Sequence, residues 1–298
     1  MKTEVKSAFL LFLTAAIWGF AMAAQREASG YLQPMTFNAC RFTTGAATLA
    51  PLLALEKKRT GTRTERRTVL SGCVLGAVLF TASLLQQAGV GEAGAGKSGF
   101  LTALYVVLVP VIGAFFGKKT RWSTWLALGI ALPALYLLCV PKGEKMYLSP
   151  SDGLVLAGAV FWAAHILLTD AFVKRTSALQ LCMIQFVCAA ALNWAGALAF
   201  EQITKGGLSH AWVPVLYCGI MSTGLGYLFQ TVGQRGCRPA FAALIMSLES
   251  VFCVVSGALL LGEKMDGRGL TGCALMLLAV VLAQAGALMG TRKEETHV

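Results

Sequence analysis

The stretch "AAIWGFAMAA" at 15–24 has a near copy in "GAVFWAAHIL" at 158–167, in which Trp18 falls on Trp162, 144 residues later. Held without gaps, the same offset places Arg41 on Gln185, Phe42 on Phe186, Gln86 on Gln230 and Gly89 on Gly233. Two similar halves therefore run through the 298-residue chain, and the nature of one half decides the fold.

Composition says what each half is. The chain is 56% hydrophobic and only 13% charged, with a mean hydropathy of +0.68, whereas soluble domains carry roughly 25% charged residues. Apolar windows long enough to cross a hydrocarbon core of ~30 Å lie near 8–26, 35–55, 69–89, 97–117, 122–140, 152–171, 178–199, 211–233, 239–261 and 268–289. That is five windows per half. Five is odd, so the second half enters the membrane in the opposite sense to the first. The sequence predicts an all-α integral membrane protein of ten transmembrane helices built as two inverted five-helix repeats, 1–144 and 145–298, with a short tail at the end. The offset is expected to drift to about 140 where Pro110 in "LVPV" meets Ser250 in "LESV".

Charge sets the orientation. With the N-terminus inside, seventeen of the 25 lysines and arginines fall in inner segments and seven in outer ones, with Arg41 alone inside a span. Basic residues stay on the cytoplasmic side, so both termini are expected in the cytoplasm and the protein in the plasma membrane. The same bias accounts for the net charge of +11 without nucleic acid, since the basic residues sit where anionic headgroups are. Nine cysteines show no C-x-x-C or Cys/His metal spacing and read as reduced, packed side chains.

Two motifs are look-alikes. "GVGEAGAGKSGF" at 89–100 contains G-x-x-x-x-G-K-S, but a phosphate loop needs a strand before it and a helix after it, and this segment joins two helix-length apolar runs on the outer side. No nucleotide partner is expected. "MKTEVKSAFLLFLTAAIWGFAMAAQ" at the N-terminus resembles a secretory signal, yet cleavage would remove the helix that carries Trp18 and so break the repeat.

Inverted repeats are the architecture of secondary transporters, whose site lies near the midplane between the halves. The tryptophan-bearing openings "AAIWG" and "AVFWA", the arginine seven residues after the proline in "PMTFNACRF", the run "GKSGFLTALYVVLVPVIG" and its counterpart "LIMSLESVFCVVSGALLLGE" together resemble the drug/metabolite transporter superfamily, EamA type, over about residues 7–290. The resemblance implies transport. Relatives carry amino acids and other metabolites, sugars and nucleotide sugars, so it leaves the cargo open. One departure is Ser250, where relatives have proline after the glutamate, which puts the kink of that helix in question.

An ionised side chain in hydrocarbon costs at least ~2.5–3.5 kcal/mol at a helix centre on insertion scales, so each polar residue in a span needs a reason. Arg41, about 10 Å inside its helix end at 1.5 Å per residue, is either a carboxylate clamp or a structural arginine held by backbone carbonyls or reaching to the interface. Lys97 stands at the outer mouth of the fourth span, as a site lysine or an interfacial one. Glu249 lies roughly 16 Å deep and would bind an amine, carry a coupled proton, or simply be hydrogen-bonded. His165 shares a helix face with Trp162 and is open to packing or to function. Trp18, Trp162, Tyr105 and Tyr227 suit an apolar wall with polar tips or ordinary packing. Asn38, Gln86, Gln185 and Gln230 complete the candidate substrate-binding set. Gly72-x-x-x-Gly76 is sufficiently explained by close helix packing.

The expected function is secondary transport of a small metabolite, export favoured, by alternating access and without a cofactor, with proton coupling through Glu249 as an option. An amino acid or similar zwitterion is preferred, because Arg41 and Glu249 supply opposite charges to one cavity. Lipophilic cations or drugs, or sugar and metabolite uptake, are the alternatives. An intramembrane enzyme is disfavoured, since none of the transmembrane serines stands in a motif that aims it at His165. The expected partners are the substrate and the bilayer, in a monomer or homodimer.

Overall fold

The computed structural model describes residues 2–61, 64–93, 95–140, 149–261 and 267–295. Its helices are α1 (Lys2–Ser29), α2 (Pro34–Thr60), α3 (Arg66–Ala93), α4 (Ala95–Ala103), α5 (Tyr105–Phe115), α6 (Trp122–Cys139), α7 (Pro150–Val173), α8 (Ala178–Phe200), α9 (Lys205–His210), α10 (Trp212–Leu216), a π-helix (Tyr217–Gly226), α11 (Tyr227–Gln234), α12 (Pro239–Met246), α13 (Glu249–Leu261) and α14 (Gly267–Glu295). Among the described residues there is no strand. Prolines at the first turns of α2, α7 and α12 start helices where the missing N–H costs nothing.

Seven helical stretches are long and apolar enough to cross a bilayer, and Trp122–Leu138 and Gly267–Ala283 are shorter apolar helices. The tenth span is α2, whose 27 residues reach about 40 Å. Asn38, Arg41, a series of threonines and the closing Lys57, Lys58 and Arg59 make it polar, and Asn38 and Arg41 lie on its buried face. The fourth span is α4–α5, the eighth runs from α10 through the π-helix to α11, and the ninth is α12–α13.

The two halves are exchanged by a two-fold. Helix α3 packs on α7, as the π-helix and α11 pack on α1, while α2 packs on α8 and α6 on α14. Glycine contacts show the exchange atom by atom. A Cβ on Gly89 would lie 2.7 Å from the Ser151 carbonyl and against Val155, and one on Gly233 would lie 3.0 Å from the Ser7 carbonyl and 2.9 Å from Leu11. All three pairs of mates are 144 apart. Five spans per half make this an inverted repeat, with the axis in the membrane plane.

The structure corrects one expectation about register. The fourth span breaks at Leu104 and the ninth at Ser247–Leu248, so the offset stays near 144 there and does not drift to 140. Pro110 lies inside the continuous helix α5. The break in the ninth span needs no proline at Ser250, since short i→i−3 bonds from Leu248 to Ile245 and from Ser250 to Ser247 tighten the backbone at that point. The boundary placed at 144/145 lies outside the described residues, as does Val298.

The look-alike loop also resolves. Helix α3 continues to Ala93 and α4 begins at Ala95, so a helix delivers the chain into it, and Gly89 is a packing glycine. The Lys97 side chain lies outside the described residues. The eight described cysteines carry free thiols.

Candidate functional site

A cleft with about 490 Å³ of atom-free space lies between the halves. Its walls are Trp18, Met22 and Gln25 of α1, Arg41 of α2, Gln86 of α3, Thr102 and Tyr105 of the fourth span, and Trp162 and Ile166 of α7. Ser222 of the π-helix, Tyr227 and Gln230 of α11 and Glu249 of α13 complete them.

Symmetry fixes its depth. A residue that meets its own mate must lie on the two-fold axis, hence at the midplane. Phe42 and Phe186 stack with centroids 6.4 Å apart, Trp18 and Trp162 flank the Tyr227 ring at 5.0 and 6.3 Å, and Tyr105 and Glu249 face each other within electrostatic reach. The cleft straddles the axis. Gly19 lets the ninth span close on it: a Cβ there would lie 2.6 Å from the Glu249 carbonyl, so only glycine allows α13 to lean on α1 and present Glu249.

Arg41 is 3% exposed. Among the described residues its contacts are with side chains and not with backbone carbonyls. Its Nη1 donates to Gln25 Oε1 at 3.4 Å, its guanidinium lies 4.8 Å from the Phe42 ring and 5.6 Å from that of Phe37, and its Nε has no hydrogen-bond partner. Neither Arg41 nor Glu249 has an ion-pair partner among the described residues. A basic and an acidic side chain, one from each half, thus line one cleft without an ion pair among the described residues.

Eight of the twelve expected residues line the cleft: Trp18, Arg41, Gln86, Tyr105, Trp162, Tyr227, Gln230 and Glu249. His165 does not. It sits behind the wall, its Nε2 2.8 Å from Gln185 Oε1, with its ring edge-on to Tyr227 at 5.8 Å and to Trp162 at 6.1 Å. Gln185 is thereby taken as well. Asn38 is fully buried one turn from Arg41, away from the cleft, with both amide atoms unpartnered. Met22, Gln25, Thr102, Ile166 and Ser222 were not expected. Projection by 144 pairs Met22 with Ile166, and Thr102 precedes Tyr105 by about one turn, so those three were findable. Gln25 and Ser222 depend on packing the sequence does not display.

A ten-span inverted repeat enclosing a buried, charged, two-sided cleft is the form of a membrane transporter. The EamA-like transporter family model matches residues 5–140 and 150–284, and the chain belongs to that family, within the drug/metabolite transporter superfamily. It is 25% identical over 281 residues to a protein of Archaeoglobus fulgidus described as an uncharacterized transporter, covering 91% of this chain and 83% of that one. It is 23% identical over the full length of both chains to the uncharacterized transporter YwfM of Bacillus subtilis. A solved crystal structure superposes with a TM-score of 0.79 over 93% of this chain and 98% of its own, at 19% identity; that likeness concerns the fold alone.

Proposed function

We propose that this protein is a secondary transporter that exports a small zwitterion, first of all an amino acid with an apolar side chain, across the plasma membrane by alternating access, with both termini cytoplasmic. The observation that carries the reading is the pair Arg41 and Glu249, buried in one cleft without an ion-pair partner among the described residues. Each costs kilocalories in hydrocarbon when ionised, unless an anion meets the guanidinium and a cation or a proton meets the carboxylate. A carboxylate on the guanidinium and an ammonium on Glu249 do so together, through charge-assisted bonds roughly twice as strong as neutral ones. Tyr227, electrostatically coupled to both groups, and the two tryptophans supply the wall for an apolar side chain. In the empty cycle a proton on Glu249 fills the place of the ammonium, which couples export to proton entry. No cofactor, nucleotide or nucleic acid enters this cycle, and the unit is a monomer or homodimer.

Counterflow of radiolabelled L-leucine into proteoliposomes tests the reading. Glu249→Gln is expected to abolish it, and Arg41→Gln, which copies Gln185 in the other half, to reduce it at least about tenfold, the worth of one charge-assisted bond. Folded Arg41→Gln protein that carries leucine at the wild-type rate would remove the clamp. A lipophilic cation is the second reading, favoured by the aromatic group around Tyr227, which offers cation–π faces; tetraphenylphosphonium flux that needs Glu249 but not Arg41 would select it.

A further inference from the structure

The third and eighth spans are mates, yet their frames differ by one residue. Near its start α3 presents Gly76, whose Cβ would lie 2.9 Å from the Gln185 carbonyl and against Cys188. Gly219 of the eighth span stands likewise 3.2 Å from the Arg41 carbonyl and against Thr44. The partners are 144 apart, but the two glycines are 143 apart. Farther along, Gly158 faces the Ala82 carbonyl, and its mate Thr14 donates to the Gly226 carbonyl at 3.2 Å. Here, as at Gly89 and Gly233, the offset is 144 again. The eighth span has therefore gained one residue between Gly219 and Gly226, inside the π-helix Tyr217–Gly226. An extra residue that leaves both flanks in register is absorbed as a wider i→i+5 turn.

The wide turn changes which groups are held. The Trp18 indole N–H donates to the Ser222 carbonyl at 3.1 Å, within the π-helix. Its mate Trp162 donates instead to Gln86 Oε1 at 2.8 Å, while Gln86 Nε2 rests on the Met22 sulfur at 3.4 Å. Gln86 is thus committed to the wall. Gln230, the mate of Gln86, is released: it lines the cleft, is 1% exposed, and its Oε1 has no hydrogen-bond partner. Buried polar atoms are almost always paired, so an unpartnered acceptor on a side chain that lines a cleft is a site for a donor that arrives from outside.

We infer that Gln230 is a cargo-contacting residue that accepts a hydrogen bond from an N–H or ammonium group of the substrate, and that the inserted residue of the eighth span, by engaging Trp18, is what frees it. The inference deepens the zwitterion reading and rests on it for the identity of the donor. Melting of purified protein and leucine counterflow separate the two. Gln86→Leu is expected to lower Tm by a few degrees, because it orphans the buried Trp162 N–H. Gln230→Leu is expected to melt at or above the wild-type temperature, because it removes an unpaired polar atom, while raising KM for leucine about tenfold; Gln230→Asn, which keeps the carbonyl, recovers part of that loss. A fall in Tm for Gln230→Leu equal to that of Gln86→Leu overturns the inference, and so does an unchanged KM. Absence of leucine flux in the wild type counts against the cargo instead, and the Tm contrast then decides whether the Gln230 amide is uncommitted.

Discussion

The two halves share a backbone and differ where they meet. Helix α3 and the eighth span lean on opposite halves with the same small residues, so the scaffold is close to symmetric. The side chains at the axis are not: Tyr105 answers to Glu249, Arg41 to Gln185 and Ser83 to Tyr227. The first half contributes a cation, and the second contributes a carboxyl and the central ring. In the proposed transport cycle the symmetric scaffold would supply two interchangeable ways of opening, as alternating access needs, and the asymmetric lining would let one cargo lie in one orientation across both halves.

The largest effects should come from breaking the symmetric part. Gly89→Val and Gly233→Val each drive a branched side chain into a backbone carbonyl of the opposite half, and overpacking of this kind costs about 1–3 kcal/mol. Both variants should lose most of their monodisperse protein on fluorescence-detected size exclusion, and to a similar degree. A loss confined to one of them would show that the packing is not equivalent.

A smaller effect is expected at the tryptophans, where the mates differ. Trp162→Phe strands Gln86 Oε1 on the cleft wall and should cost about 1–2 kcal/mol, whereas Trp18→Phe removes one donor from a backbone carbonyl and should cost about 1 kcal/mol. Thermal melts that rank them in the reverse order would mean that the π-turn carbonyl depends on its indole more than the glutamine does.

Much of this was legible in the sequence because a repeat is arithmetic. The ten spans, their inversion and the mates at 144 follow from Trp18 and Trp162, and charge scarcity singles out Arg41 and Glu249. Offset arithmetic fails where the chain gains a residue without losing register. Nothing in "YCGIMSTGLG" announces a π-helix, because the insertion is visible only when Gly219 and Gly226 are matched to their packing partners. His165 and Gln185 were also illegible as a pair, since polarity in a span does not say whether a side chain faces the cleft or another side chain behind it. Gln25 was missed for the same reason: its role is set by Arg41, which reaches it from the next helix.

The smallest effect separates two carboxylates that serve corresponding ends of α2 and α8. Glu201 holds the start of α2, accepting from Met35 N at 2.8 Å, Thr36 N at 2.7 Å and Thr36 Oγ1 at 2.7 Å. Glu56 holds the start of α8 by one bond from Ser177 Oγ at 2.8 Å. The difference follows from the caps. Gln33 precedes α2 and makes no side-chain cap, so Glu201 satisfies otherwise orphaned N–H groups from a distant helix and meets the positive end of the dipole. Ser177 already accepts from Gln180 N at the start of α8, so Glu56 only supports an existing cap. Glu201→Gln should therefore cost about 1 kcal/mol, the usual worth of a cap, and Glu56→Gln about 0.3 kcal/mol, the worth of a single half-buried contact near the membrane surface. Melting in detergent resolves the first as a shift of a few degrees and leaves the second near the wild type; equal shifts would mean that α2 draws no special support from Glu201 and that the two ends are held alike.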